Sequence, residues 1–140
     1  MKKILAFVVL MACLTILVQG AYAEGTVRLP IQVPFEFFVD NTLLAAGDYK
    51  IEIAPAGSTG AFSLLVIYGG NGQACRSLFV RNQGDQNPDT ASLRFNRYGK
   101  AHFLTVVSTG RNQVNLETSK AEKEMLARAL TPTTILVAQK

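Results

Sequence analysis

Apolar and polar residues alternate along most of this chain, which is the pattern of short β-strands. Around Phe37 and Ile51 most apolar residues occupy odd-numbered positions, whereas Glu36, Lys50 and Glu52 occupy even-numbered ones. Such alternation turns one face of a strand toward a core and the other toward solvent. Comparable segments predict seven or eight strands, at Thr26–Gln32, Val33–Val39, Tyr49–Ile53, Phe62–Tyr68, Gln73–Val80, Ala91–Tyr98, Ala101–Ser108 and Thr133–Ala138.

Two of these strands carry a further signal about their place in the sheet. Pro30 and Pro34 cannot donate hydrogen bonds to a neighbouring strand, so the first strand is expected at a sheet edge. The strand Phe62–Tyr68 is apolar at odd and even positions alike, which predicts a strand that is central in its sheet or covered on both faces.

The period changes near the C-terminus. Ser119-Lys120-Ala121-Glu122 matches a capping box, in which the serine accepts from the third helical N–H and the glutamate bonds back to the serine. A helix of roughly 12 residues is expected there. Isolated helices of this length are only marginally stable, so it should need a packing partner. It would pack on the sheet through an apolar stripe and end before Pro132; the stripe consists of Ala121, Met125, Leu126, Ala129 and Leu130.

The turn residues specify how the strands pair. Asn71-Gly72 favours a two-residue type I′ hairpin, which would place Cys75 opposite Tyr68 inside an apolar sheet and bury its thiol. Gly99-Lys100 fits a type II′ turn, because only its first position needs a positive φ. Strands joined by such hairpins, without alternating βαβ units, predict a mainly β fold: an antiparallel β-sandwich or open barrel with one C-terminal helix.

The Gly99-Lys100 hairpin also separates a core face from a solvent face. It pairs Phe95 with Leu104 and Leu93 with Val106 on the face that we predict to be one layer of the core. The opposite face then carries Arg94 beside Thr105, and Asn96, Tyr98 and Phe103. A slip of one residue would bury Arg94, so this register should be well fixed.

The N-terminus has the features of a signal peptide. Lys2 and Lys3 precede an apolar run from Ile4 to Val18, and Ala21-Tyr22-Ala23 has the small-x-small form of a cleavage site. Cleavage between Ala23 and Glu24 is expected, which leaves residues 24–140 as a single domain. No second long apolar run follows, so no transmembrane anchor is expected and the mature chain would be secreted or periplasmic. The alternative is a lipid-modified Cys13.

Few residues suggest catalysis or metal binding. Once the signal peptide is removed, the chain retains one cysteine, Cys75, and one histidine, His102, too few for a typical zinc site. Gly69-Gly70-Asn71-Gly72 lacks the lysine and helix of a phosphate loop, and no nucleophile elbow is present. Asp85 and Asp89 lack the ligand spacing of an EF-hand. We therefore predict no catalytic residue, no metal site and no cofactor.

Several motifs together resemble a family of small secreted bacterial β-rich proteins of unknown function. They are Val33-Pro34-Phe35-Glu36-Phe37, then Ala46-Gly47-Asp48-Tyr49, and finally the Ser119-Lys120-Ala121-Glu122 box. Ala45 departs from that pattern, where the family usually has proline. The resemblance covers most of the mature chain and implies export and a β fold. It implies no catalytic residues.

The remaining functional signal is basic charge beside aromatic residues. Arg94, Asn96, Tyr98 and Phe103 form a possible binding surface for a partner or for an envelope or extracellular polymer; the alternative is that the helix docks on Tyr98 and Phe103. The polar segment Arg81–Thr90 is a second candidate. Without the two N-terminal lysines the formal net charge of +4 falls to about +2, which does not argue for nucleic acid.

The sequence thus favours an exported, non-catalytic binding module. An exported hydrolase that acts through carboxylates such as Glu36 and Glu52 is the alternative, because two acidic residues on neighbouring strands can serve general acid–base chemistry.

Overall fold

The computed structural model describes residues 25–83, 90–110, 112–128 and 130–139. The predicted signal peptide, its cleavage site and Cys13 lie outside these residues. The described chain is mainly β, with one short helix, as the alternation predicted. Its elements are β1 (Val27–Val33), β2 (Phe37–Val39), β3 (Thr42–Leu44), β4 (Gly47–Ala56), β5 (Phe62–Gly69), β6 (Ala74–Asn82), β7 (Ala91–Tyr98), β8 (Ala101–Thr109), β9 (Gln113–Asn115), α1 (Lys120–Ala127) and β10 (Thr133–Ala138).

The ten strands of the described residues form one sheet that does not close into a barrel. The predicted count of seven or eight is too low, because the three-residue strands β3 and β9 are too short to show alternation. Antiparallel pairing runs β1-β4-β5-β6-β9-β8-β7-β10, and the ribbon of β2 and β3 joins β8 through a single parallel pairing of Phe38 with Phe103. Strand β1 lies at an edge, as its prolines predicted. The ends of β1 and β10 flank an open groove of about 760 Å³, whose lining includes Ile31, Tyr49 and Leu136.

A single apolar core fills the inner side of this sheet. Phe37 and Phe95 meet edge to face, with their ring centroids 5.4 Å apart, and both are almost fully buried. The predicted core residues Leu93, Phe95 and Leu104 belong to this core. The pattern at odd-numbered positions is also confirmed, because Val33, Phe37, Val39, Ile51 and Ile53 are all buried.

The β7–β8 hairpin follows the predicted register only near its turn. Phe95 pairs with Leu104 and Tyr98 with Ala101, and Gly99 has a φ of 62°. A β-bulge at Thr105 then shifts the pairing, so that Leu93 faces Val107 and Arg94 faces Val106. The predicted Leu93–Val106 and Arg94–Thr105 pairs are therefore wrong. Val106 is buried, but the bulge places it on the side of Arg94, and Val107 takes its place in the core.

The β5–β6 hairpin corrects the prediction for Cys75. Its loop has three residues, Gly70 to Gly72, because the Gly72 N–H bonds to the Gly69 carbonyl and the Gly69 N–H bonds to the Gln73 carbonyl. Only Gly72 among the loop residues has a positive φ, 78°, so the turn is not type I′. Tyr68 pairs with Ala74 and Ile67 with Arg76, which leaves Cys75 as the extra residue of a bulge. Its side chain is exposed, and the expectation that it is buried is wrong.

The helix forms where it was expected but docks differently. Helix α1 has 8 residues, and the Ser119 hydroxyl accepts from the Glu122 N–H at 3.1 Å, as the capping box predicted. The Glu122 side chain does not complete the box; it is buried against β7 instead. Leu126 and Leu130 of the predicted apolar stripe are 45% and 43% exposed. Ala121 and Met125 of the stripe are half-buried, and Ala129 lies outside the described residues. The hydrogen bonds that join the helix to β7 end on the Glu122 carboxylate.

Candidate functional site

Helix α1 and strand β2 cover part of the predicted binding surface on β7 and β8. Arg94 is exposed and Asn96 is half-buried, whereas Tyr98 and Phe103 are only 4% and 2% exposed. Phe38 of β2 stacks on Phe103 with their centroids 4.9 Å apart. The expectation that Tyr98 and Phe103 face solvent is therefore wrong, and the alternative, that the helix docks on this face, is correct for Tyr98.

Glu122 makes the contact that docks the helix. Its Oε1 accepts hydrogen bonds from the Tyr98 hydroxyl at 3.0 Å and from Asn96 Nδ2 at 2.9 Å, and the residue is 4% exposed. Burial and then the neighbouring Glu122 carboxylate raise the pKa of Tyr98 to about 12. The phenol therefore remains a hydrogen-bond donor at any physiological pH.

A polar cleft opens beside this contact, with a volume of about 450 Å³. It lies where β6, β7, β8 and β9 meet the N-terminal end of α1. Nearly all the side chains around it carry hydrogen-bonding groups; the lining consists of Gln83, Arg94, Asn96, Thr105, Val106, Gln113, Asn115, Leu116, Thr118 and Glu122. We call this set the polar cleft.

Three amides on one wall of the polar cleft orient one another. Gln83 Oε1 accepts from Gln113 Nε2 at 2.8 Å and from Asn115 Nδ2 at 2.6 Å. Strand β9 positions the last two, because it pairs with both β6 and β8. The side-chain oxygen of Asn115, Oδ1, is buried and accepts no hydrogen bond from a described residue. The wall therefore has a fixed acceptor whose hydrogen-bonding capacity is unused within the described chain.

A second region lies on the outer face of β4, β5 and β6 and has the opposite character. Here an uninterrupted apolar row runs along β5 and continues across to β6; its members are Phe62, Leu64, Val66, Tyr68 and Phe79. Phe79 is 74% exposed and Phe62 is 46% exposed. We call these five residues the aromatic face. Strand β5 is central in the sheet, between β4 and β6, which is one of the two arrangements predicted for it, but its outer side is only half-buried.

Charged side chains surround the aromatic face. The Arg81 guanidinium lies 5.9 Å from the centroid of the Phe62 ring, and the Lys50 ammonium lies 5.3 Å from that of Tyr68. Glu52 accepts from Arg28 at 2.9 Å and lies 3.5 Å from Lys50. Arg28, Lys50, Arg81 and Glu52 form the rim of the aromatic face, which therefore carries three cationic groups and one anionic group. Glu52, proposed above as a catalytic carboxylate, takes part in ordinary surface ion pairs.

The remaining candidate residues do not assemble into a site. His102 pairs with Arg97, as predicted, and stacks on Phe35 with 4.0 Å between the ring centroids. Burial, and secondarily the charge of Arg97, lowers the pKa of His102. Glu36 is exposed. Within the described ranges no three metal-binding side chains lie together, and no helix is long and apolar enough to span a bilayer.

The predicted Arg81–Thr90 loop is only partly described. Arg81 and Asn82 belong to β6, and residues 84–89, which include Asp85 and Asp89, lie outside the described residues. The described end of this segment reaches both candidate regions, because Arg81 borders the aromatic face and Gln83 lines the polar cleft.

Comparisons with protein-family models, with curated proteins and with solved structures each return no match. The resemblance to small secreted β-rich proteins stays a prediction. Function therefore has to be argued from the two surfaces alone.

Proposed function

We propose that this chain is an exported, non-catalytic binding module, and that it binds another protein of the envelope or extracellular space through the aromatic face. The observation that supports this proposal is the exposure of Phe79 and Phe62 within one continuous apolar row. Contiguous apolar patches of this kind are uncommon on monomeric proteins unless they serve an interface.

The arrangement of the aromatic face matches the composition of protein interfaces. Such interfaces have an aromatic or aliphatic centre and a polar rim that stays near solvent. Phe79 and Phe62 form the centre, and Arg81 and Lys50 lie at the rim. Transfer of a ring as exposed as Phe79 into an apolar contact is worth about 1.5–3 kcal/mol. Leu64 and Val66 in the middle of the row offer neither a ring nor a hydrogen-bonding group, so an apolar protein surface fits it better than a polysaccharide or a nucleic acid.

The rim indicates what the partner carries. Arg28, Lys50 and Arg81 outnumber Glu52, so the aromatic face is bordered by net positive charge. Complementary partners place acidic groups opposite such a rim, which speeds association and selects the partner. We therefore expect a partner protein with an apolar patch that is flanked by aspartate or glutamate.

Site-specific photo-crosslinking would test this proposal. A photoreactive residue at position 79 is expected to capture one discrete protein from the envelope fraction, whereas one at position 136 should not. Leu136 is a matched control, because it is apolar and 60% exposed but lies on β10. Arg81→Glu should weaken the capture at position 79, since it reverses the charge of the rim.

Two results would contradict the proposal. Equal capture from positions 79 and 136 would show adhesion of any exposed apolar residue. Capture of a second copy of the chain alone would make the aromatic face a self-association surface.

The exported hydrolase stays the second candidate because one carboxylate, Glu122, is buried beside a cleft. Hydrolysis of a glycosidic bond ordinarily uses two carboxylates. Glu122 is the one acidic residue in the described lining of the polar cleft. A hydrolase activity that is lost on Glu122→Gln and retained on Phe79→Ser would favour the enzyme over the binding module.

Export itself is tested by sequencing the N-terminus of the mature protein. We expect it to begin at Glu24, because Ala21-Tyr22-Ala23 follows the apolar run. A start at a lipid-modified Cys13 would contradict this expectation.

A further inference from the structure

We infer that the polar cleft is a second binding site, specific for a neutral, hydroxyl-rich ligand such as a saccharide unit. The inference is independent of the aromatic face, because none of the five residues of that face lines the polar cleft. It rests on the charges of the cleft, on the fixed orientation of its side chains and on its size.

The charges of the cleft favour neither anions nor cations. Glu122 supplies a buried negative charge, and Arg94 supplies an exposed positive charge. The attraction of an ion to one of these residues is offset by its repulsion from the other. A neutral ligand that both donates and accepts hydrogen bonds avoids either repulsion and can bond to both groups.

The cleft is oriented before any ligand arrives. Both hydrogen bonds to Glu122 end on Oε1, from Tyr98 and Asn96, which leaves Oε2 without a hydrogen bond to a described residue. On the opposite wall, Gln83 fixes the amides of Gln113 and Asn115. Side chains that are already held in place lose little conformational entropy when a ligand binds.

The chemistry of these groups matches hydroxyls. Each sugar hydroxyl is one donor and an acceptor, and adjacent hydroxyls can bond to the carboxylate, the guanidinium and the amides of the cleft. A volume of about 450 Å³ lies in the range of small-molecule sites and suits one or two sugar rings. The surroundings are polar, so a steroid- or lipid-like ligand would leave many of these groups unpaired.

Titration with sugars, followed by NMR of the side-chain amides, tests the inference on the folded full-length mature chain. The probes are glucose, galactose, mannose and N-acetylglucosamine as neutral ligands, with glucuronate and inorganic phosphate as anionic ones. At least one neutral sugar should shift the signals of Gln113 and Asn115. The anions should leave them unchanged.

Arg94→Ala should weaken the binding of that sugar by about tenfold, the effect of losing one charge-assisted hydrogen bond. Arg97→Ala is the matched control, because Arg97 is exposed on the same strand and does not line the cleft.

Glu122→Gln keeps the shape of the side chain and removes its charge, so glucuronate should then bind. Phe79→Ser should leave sugar binding unchanged, which separates this site from the proposed protein interface.

The inference would be overturned if no neutral sugar shifts the cleft amides at saturation. It would equally be overturned if phosphate or glucuronate binds the unmodified cleft more tightly than every neutral sugar. Equal losses from Arg94→Ala and Arg97→Ala would place the ligand elsewhere on β7.

Discussion

The polar cleft and the aromatic face lie on outer surfaces of the same sheet, yet a helix packs beside the first and no described helix packs on the second. Helix α1 covers Tyr98 on the outer side of β7, and its contact is a hydrogen-bonded carboxylate. Across the sheet, no described helix covers the row from Phe62 to Tyr68, whose other members are half-buried beside the exposed Phe62, and Phe79 is exposed next to it. Polar groups are thus buried where a helix is available, and apolar groups are exposed where none is.

This contrast runs against the usual distribution of side chains. A buried charge normally costs free energy unless it is fully hydrogen-bonded. An aromatic ring that stays exposed lacks the favourable free energy that its burial would contribute. Because both departures occur in one small chain, we interpret each as a functional requirement: an oriented hydrogen-bonding site in the cleft and a docking surface on the aromatic face.

The largest effect is expected in the core beneath both regions. Phe95→Ala should lower the free energy of unfolding by about 3–5 kcal/mol, because a fully buried aromatic side chain leaves a cavity. Arg97→Ala, two residues along the same strand and exposed, should change it by less than about 0.5 kcal/mol. Denaturant unfolding of both variants measures the difference. Equal losses would mean that the assigned burial of Phe95 is incorrect, because both residues lie on the same face of β7.

An intermediate effect should distinguish the two regions directly. Tyr98→Phe removes a hydroxyl that donates to the buried Glu122 carboxylate, and should lower stability by about 1.5–3 kcal/mol. Tyr68→Phe makes the same chemical change on the aromatic face, where we expect less than about 0.5 kcal/mol. The midpoints of urea unfolding of these two variants would measure the difference in stability. A larger loss for Tyr68 would contradict the assignment of the carboxylate contact as the helix anchor.

The same contact revises an expectation from the sequence. Asn96 on a solvent face would be replaceable by alanine for under about 1 kcal/mol. In the folded chain it donates to Glu122, so its removal leaves a buried carboxylate with one donor fewer. The cost of Asn96→Ala should therefore approach that of Tyr98→Phe.

Local features of the fold were predictable from the sequence. The strands follow from alternation at a period of two, and the helix start follows from Ser119 with Glu122 three residues later. The Gly99 turn and the edge position of β1 follow from single residues with restricted backbones. Each of these depends on interactions within a few residues of the chain.

The errors involve pairings that alternation does not specify, some within a hairpin and some between residues distant in sequence. The bulges at Thr105 and Cys75 each insert one residue while leaving the alternation nearly intact, so the pattern alone cannot locate them. Gly70-Asn71-Gly72 permits a two- or a three-residue loop, and the choice decides whether Cys75 faces Tyr68. Glu122 satisfied the local capping pattern, but its side chain bonds to residues 24 and 26 positions away.

The candidate sites were less predictable than the fold, because a sequence does not state what covers a strand. The expected binding surface combined Arg94 and Asn96, which do line the polar cleft, with Tyr98 and Phe103, which are buried. The apolar residues on both sides of β5 were a real signal for the aromatic face. They predict a strand that is central in its sheet or covered on both faces; β5 is central, and its outer face stays partly open.

The smallest effect on stability is expected at the centre of the aromatic face, and it is the most informative about function. Phe79 is 74% exposed, so Phe79→Ser should change the free energy of unfolding by no more than about 0.5 kcal/mol. The same substitution should abolish capture of the partner, since a central aromatic anchor often provides much of the binding free energy. Leu136→Ser, at a similarly exposed site, should alter neither property. A large loss of stability for Phe79→Ser, measured by denaturant unfolding, would mean that the ring supports the fold. The aromatic face would then be part of the packing, and the contrast with the polar cleft would no longer hold.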